Sequence, residues 1–268
     1  MIGGHLKAKR KHLVVLLKQF DSLMVAFSGG VDSTFLLAMA HEVLQNNLIA
    51  ITAESPLHPT WEKKEAIALA QKLGVQHMVI HSREMNQIEF RANPRNRCYI
   101  CKTFLFEDLL TIAKDKGIEH VAHGATVDDL DDFRPGFIAA KEWGIKAPLI
   151  DAGLTKDEIR ILSKEMNLKT WNKLSMACLA SRIPYGKPIT KKNLKMIARA
   201  EKIILDLGFT GCRVRLHDKM ARLEINLKEM KKILDPKNRL IIIKEFREIG
   251  FLYVAVDLEG YTQGSMNK

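Results

Sequence analysis

Ser28-Gly29-Gly30-Val31-Asp32-Ser33-Thr34 is the stretch that decides how this chain is read. It follows an apolar run, Leu23 to Phe27, with the length and composition of a buried strand. It precedes Phe35-Leu36-Leu37-Ala38-Met39-Ala40, which reads as a helix. A strand, a tight glycine turn carrying hydroxyls and a helix start together make an anion cradle. Glycine lets the backbone approach an oxyanion closely, and the free N–H groups and dipole of the helix face it. Ser28, Ser33 and Thr34 add donors. Asp32 is the exception, because a carboxylate beside phosphates makes sense chiefly as a ligand of Mg²⁺. The G-x-x-x-x-G-K-[ST] spacing of the Walker A loop, with its lysine, is absent from this stretch.

SGGVDS resembles the PP-loop of the ATP pyrophosphatases, which implies that ATP binds here through its pyrophosphate. The surrounding sequence is consistent with this. Strands are expected at Leu48–Ala53, Gln76–His81 and Glu119–His123, with helices near His58 to Leu73, Lys102 to Lys116, Arg134 to Trp143 and Lys156 to Met166. Strand–helix alternation predicts an α/β fold, a parallel sheet with helices on both faces and ligands at the carboxyl ends of its strands. Ala53 and Gly124 sit at such ends and join the Ser28–Ser33 loop as candidate ATP contacts. The stretch from Thr170 to Pro188 has little periodicity and contains Pro184, Gly186 and Pro188, so it reads as a linker. Beyond it, a helix near Lys191 to Leu207, strands at Cys212–Leu216, Ala221–Ile225 and Phe251–Val256, and a helical region from Lys228 to Ile249 form a small α+β pattern. The expected division is 1–169, a linker at 170–188, and 189–268.

Composition sets broad limits. The 268 residues carry a net charge of +11 and are 47% hydrophobic. That charge suits a phosphorylated substrate. No arginine-rich tract is interleaved with aromatic residues, so nucleic acid is not the expected partner. No run reaches the roughly 20 apolar residues of a membrane span. The basic N-terminus, with a short apolar run at Leu13–Leu17, is not read as a signal peptide, and a cytoplasmic protein is expected.

Cys98, Cys101, Cys178 and Cys212 are the cysteines. In a chain of this kind they point to metal or catalytic chemistry before disulfides. Cys98-Tyr99-Ile100-Cys101 brings two thiols together at the start of a helix. By itself it fits a redox pair, half a zinc site or a cluster site. Cys178 lies in the linker, where folding back over the strand ends would carry it toward that pair. Three thiols without a clear fourth ligand suit an iron–sulfur cluster with one open iron better than a closed zinc site. Cys212 reads as a small buried hydrophobe.

Beyond the loop, the chain resembles the LarE family of ATP-dependent sulfur transferases over nearly its whole length. The matching segments include Arg97–Lys102, Asp128–Gly136, Ala152–Lys156, Ala177–Gly186, Arg213–Arg215 and Gly264–Asn267. The resemblance implies adenylation of a carboxylate on a pyridinium-biscarboxylate mononucleotide and exchange of oxygen for sulfur, for a nickel-pincer cofactor. It implies a 4Fe-4S cluster on Cys98, Cys101 and Cys178, with a sulfide or other sulfur donor, and a homo-oligomer. Arg213 and Arg215, two apart in a strand, point one way and match a phosphate-binding pair; two surface arginines is the plainer reading. Arg182 is a further phosphate candidate, or the partner of the acidic turn at Asp128–Asp132. Asp128 fits either Mg²⁺ or an Asx turn. Glu201 matches an active-site acid, alongside the reading of a solvated helix residue. A tRNA thiolase and an ATP-dependent amidotransferase are the rival activities.

Overall fold

A computed structural model of the chain describes residues 3–130, 135–174 and 177–262. It divides into two compact units, one of residues 1–87 and 96–176, the other of residues 88–95 and 177–268. In chain order the first unit begins α1 (Gly4–Leu17), β1 (Leu23–Ala26), α2 (Val31–Leu44), β2 (Leu48–Glu54), α3 (Thr60–Leu73) and β3 (Gln76–His81). A short helix of the second unit, α4 (Ile88–Arg91), interrupts it. The first unit resumes with α5 (Arg97–Asp115), β4 (His120–His123), α6 (Pro135–Glu142), α7 (Pro148–Asp151) and α8 (Lys156–Glu165). The expected helix start at Arg134, the acidic residues Asp131 and Asp132, and the segment Gly264–Asn267 lie outside the described residues.

The strands of this unit form one parallel sheet in the order β3-β2-β1-β4. Residue alternation along each strand explains its two covered faces. Leu23, Val25, Leu48, Ala50 and Ala122 turn to one side, where α1, α2, α3 and α8 pack through Leu13, Phe35, Ala66 and Ile159. Met24, Ile49, Ile51 and Val121 turn to the other, against Phe106 and Leu109 of α5 and Ala139 and Ala140 of α6. The chain runs outward from β1 through β2 to β3 and then returns to β1's other side as β4. That reversal opens a crevice between the carboxyl ends of β1 and β4, where doubly wound sheets bind ligands.

The second unit contains α4, α9 (Lys191–Asp206), β5 (Arg213–His217), β6 (Met220–Glu224), α10 (Met230–Leu234), α11 (Pro236–Ile249) and β7 (Tyr253–Val256). Its sheet has the order β5-β6-β7, with β5–β6 antiparallel and β6–β7 parallel. Asn93 ties segment 88–95 into this unit. It is fully buried with φ 59°, and its Nδ2 donates to the carbonyls of Ile183, Pro184 and Lys187 at 3.3, 2.8 and 3.0 Å. The helical region expected at Lys228 to Ile249 comprises two helices, because Asp235 caps α11 and Pro236 occupies its first turn, where proline lacks the N–H that would continue α10.

Candidate functional site

In the first unit, the loop after β1 is shaped as its composition predicts. Gly29 takes φ 69°, and a Cβ there would lie 3.1 Å from the Cβ of Ala66 on α3. Gly30 precedes α2, whose first turn has no side-chain cap. Its free N–H groups are the donors that an anion takes up. Ser28 and Ser33 hold each other at 3.0 Å, and Ser28 Oγ accepts from Gly30 N at 3.3 Å. Thr34 is buried in α2, with no hydrogen-bond partner for its hydroxyl among the described residues. Across the crevice, Gly124 follows β4, and a Cβ there would meet Ser33 N at 2.8 Å and Ser33 Cα at 2.9 Å. Only glycine lets the two strand ends close this tightly. Ala53 lies in β2, next to Glu54, which is paired with Lys63.

Asp32 stands in the first turn of α2. Burial, opposed by Lys156 and reinforced by Asp129 and Asp128, pushes its carboxyl up to about 6. The acidic turn is held from below. Asp129 accepts from Thr126 N at 2.9 Å and meets Lys156 Nζ at 3.3 Å, while Asp128 accepts from Lys156 N at 2.7 Å. A buried carboxyl beside two more carboxylates favours a divalent cation, which would restore its charge. Among the described residues no group of three or more His, Cys, Asp or Glu forms a ready-made metal cage. Mg²⁺ needs none, since it keeps waters and takes substrate phosphates beside one or two carboxylates. The residues present therefore fit Mg²⁺ bound with ATP.

Lys173 is a contact the sequence reading missed. Its Nζ donates to Gly29 O at 3.0 Å and to Glu65 at 2.8 Å. Arg160 holds the same segment through the carbonyls of Trp171 and Lys173, both at 2.9 Å. An isolated lysine in an aperiodic stretch carries no signal of where the chain will lay it.

Cys98 and Cys101 lie in the first turn and a half of α5, Cys98 exposed and Cys101 half-buried. Gly136 explains how α6 crosses this turn, because a Cβ on it would come within 3.0 Å of Lys102 Cγ and 3.4 Å of Cys98 O. Tyr99 reinforces the crossing by donating its hydroxyl proton to Glu142 at 2.6 Å. Cys178 belongs to the second unit, half-buried ahead of a 3-10 turn, Leu179–Arg182. Two thiols at the exposed start of a helix are soft donors of the kind iron–sulfur clusters use, and among the described residues they belong to no group of three or more metal-ligating side chains. Cys212 is buried, and that burial pushes its thiol up, which makes it inert.

In the second unit, Arg213 and Arg215 are 4% and 5% exposed, so neither is a surface residue. Arg213 lies 4.9 Å over the Tyr261 ring, and Arg215 meets Glu224 at 2.7 Å. Burial, with the nearby Arg182 and Arg215 guanidiniums, holds Arg213 below its ordinary value. Glu201 and Glu224 already supply buried carboxylates to this group of cations. Glu201 is 2% exposed and is not solvated. It pairs with Arg182, at 2.8 and 3.1 Å, so among the described residues the carboxylate that Arg182 meets is Glu201.

The family described as NAD synthase matches residues 11–97, the part that carries the glycine loop. A pyridinium-3,5-bisthiocarboxylic acid mononucleotide synthase of Lactiplantibacillus plantarum is 34% identical over 98% of this chain and 95% of its own. An uncharacterized protein of Synechocystis sp. is 38% identical over 98% of both chains.

Proposed function

We propose that this chain, which belongs to the LarE family of ATP-dependent sulfur transferases, activates a substrate carboxylate with ATP and exchanges one of its oxygens for sulfur. The resulting thiocarboxylate serves a nickel-pincer cofactor. The observation that carries this reading is the 34% identity over 98% of the chain, with the glycine cradle inside the aligned region. The Lactiplantibacillus plantarum relative is named for a pyridinium-3,5-bisthiocarboxylic acid mononucleotide, which supports the corresponding biscarboxylic acid as substrate here.

In the first step a carboxylate oxygen attacks the α-phosphorus of ATP, a P–O bond forms, and pyrophosphate leaves with the electron pair of the bond that breaks. Ser28, Gly29, Gly30, Val31 and Ser33 hold the departing pyrophosphate through backbone N–H groups and hydroxyls. Ala53 and Gly124 border the nucleotide, and Asp32, with Asp128 near it, would hold Mg²⁺. Adenylyl transfer asks the protein for positioning and charge neutralisation, and these residues supply both. The product is a mixed anhydride, in which AMP is a good leaving group. Cys98, Cys101 and Cys178 would hold a 4Fe-4S cluster, which would supply sulfide-level sulfur, and exchange of AMP for that sulfur leaves the oxidation state of the carbon unchanged. Arg213 and Arg215 hold the phosphate of the mononucleotide. Arg182, the third arginine expected on that phosphate, already spends its Nε, Nη1 and Nη2 on protein acceptors. A homo-oligomer and a cytoplasmic location complete the reading.

Anaerobic protein given ATP, Mg²⁺, sulfide and the biscarboxylate mononucleotide should release AMP and pyrophosphate and form thiocarboxylate. Loss of a thiolated base from tRNA in a deletion strain, with no thiocarboxylate made, would instead favour a tRNA thiolase. Full turnover by a Cys98→Ala/Cys101→Ala/Cys178→Ala variant with ammonia would favour an amidotransferase.

A further inference from the structure

We infer that Arg182 and Glu201 are positioning residues, a buried clamp that fixes the backbone at Cys178 to the strand carrying Arg213 and Arg215. The inference rests on the reading above for why those positions matter, and it assigns Arg182 and Glu201 roles other than phosphate ligand and acid. Arg182 is fully buried. Its Nη1 donates to Ala177 O at 2.6 Å, Cys178 O at 3.1 Å and Ser181 Oγ at 2.9 Å. The opposite edge of the guanidinium meets both oxygens of Glu201 in a bidentate pair. Glu201 Oε1 also accepts from Val214 N at 3.1 Å, and Val214 stands between Arg213 and Arg215 in β5. The connection therefore runs from the Cys178 carbonyl through Arg182 and Glu201 to the backbone between the two arginines. A second link runs parallel to it, because Arg215 Nη1 donates to Ser181 O at 3.0 Å.

Chemistry favours this role over the alternatives. The planar fork of arginine can hold a carboxylate on one edge and carbonyls on another, which lysine cannot do. The Glu201 oxygens already accept two hydrogen bonds from the guanidinium and one from a backbone amide, so most of the carboxylate is engaged with protein donors. Glu201 also sits in the apolar row of α9 with Leu194, Ile197 and Ile204, the place of a structural group. Buried ion pairs seldom add stability, and what they fix is register. Here the register is that between a sulfur ligand and a phosphate pocket. A misplaced Cys178 would leave the adenylate to water, and ATP use would become uncoupled from sulfur transfer.

The test uses the full chain with Arg182→Lys, Glu201→Gln and the apolar double variant Arg182→Met/Glu201→Met. Thiocarboxylate formed per pyrophosphate released should fall roughly tenfold or more in each, with kcat for sulfur transfer carrying the loss and KM for the mononucleotide moving little. The double variant should regain the melting temperature that the single variants lose, since a matched apolar pair replaces a broken ion pair, yet stay uncoupled. In metal-free protein, iodoacetamide should alkylate Cys178 several-fold faster in all three variants, while the rate at Cys98 stays as it was. Loss of one limb of the pH–rate profile in Glu201→Gln would overturn the inference in favour of an acid. A KM rise with kcat retained in Arg182→Lys would overturn it in favour of a phosphate ligand, and unchanged alkylation of Cys178 would overturn it outright. Wild-type protein that forms no thiocarboxylate would sink the functional reading, while the alkylation arm would still decide the clamp.

Discussion

Asp32 is a carboxylate placed where burial holds it up to about 6, and the fold keeps it there beside Asp128 and Asp129. A buried carboxyl raised beside two others is the kind of group that functional sites collect. Asp32→Asn should lower pyrophosphate release roughly a hundredfold or more without lowering the melting temperature, as a coupled pyrophosphate assay and calorimetry would read. Normal release would remove the Mg²⁺ role. His123, just ahead of Gly124, is held down to about 4 by burial, with Lys102 adding to the effect. The folded state then binds fewer protons than the unfolded one between pH 4 and 6.5. The contribution of His123 is full above that window and is lost as pH falls through it, by about 3 kcal/mol. Asp32, held up to about 6, works in the opposite sense over nearly the same range, so denaturant titrations should show the two changes offsetting in wild type and His123→Phe gaining stability as pH falls from 6 to 4. The charged residues also show where sequence reading stops. Arg213 and Arg215 were legible as a pair, since a two-residue spacing in a strand needs no structure to interpret. Their burial was not, because arginine is ordinarily exposed. Glu201 carried a usable signal, a charge at one of the helix-spaced positions shared by Leu194, Ile197 and Ile204.

The strand–turn–helix of β1, its loop and α2 was readable at the scale of elements because it is local: apolar run, glycine turn and buried helix succeed one another within the chain. The parallel sheet was readable too, since alternating strands and helices leave few other solutions. Segment 88–95 was not. Its place in the second unit depends on Asn93 hydrogen-bonding to carbonyls some ninety residues away, and no local pattern encodes such a partner. The crossing of α6 over α5 depends in the same way on Gly136. Replacing it with valine should push α6 off the turn that bears Cys98, and iron bound after anaerobic reconstitution should fall well below the wild-type amount. A stable Gly136→Val protein with full iron would argue against that dependence. Lys173 joins the segment after α8 to the glycine loop. Lys173→Met should raise the KM for ATP roughly five- to tenfold, the equivalent of one hydrogen bond. An unchanged KM would make the contact incidental.

For the whole molecule, the candidate site residues are distributed over both units. The first holds the glycine cradle, the acidic turn and the Cys98–Cys101 pair, and the second holds Cys178, the buried arginines and their carboxylates. This division suits a reaction in which one part activates a carboxylate and another recognises the molecule that bears it. The most direct measurement is mass analysis of the biscarboxylate mononucleotide after anaerobic incubation with the full chain, ATP, Mg²⁺ and sulfide. The account predicts exchange of a carboxylate oxygen for sulfur, matched by equal amounts of AMP and pyrophosphate and lost in Cys178→Ala. Recovery of the mononucleotide with both carboxylates intact, from protein shown to bind ATP and iron, would contradict it.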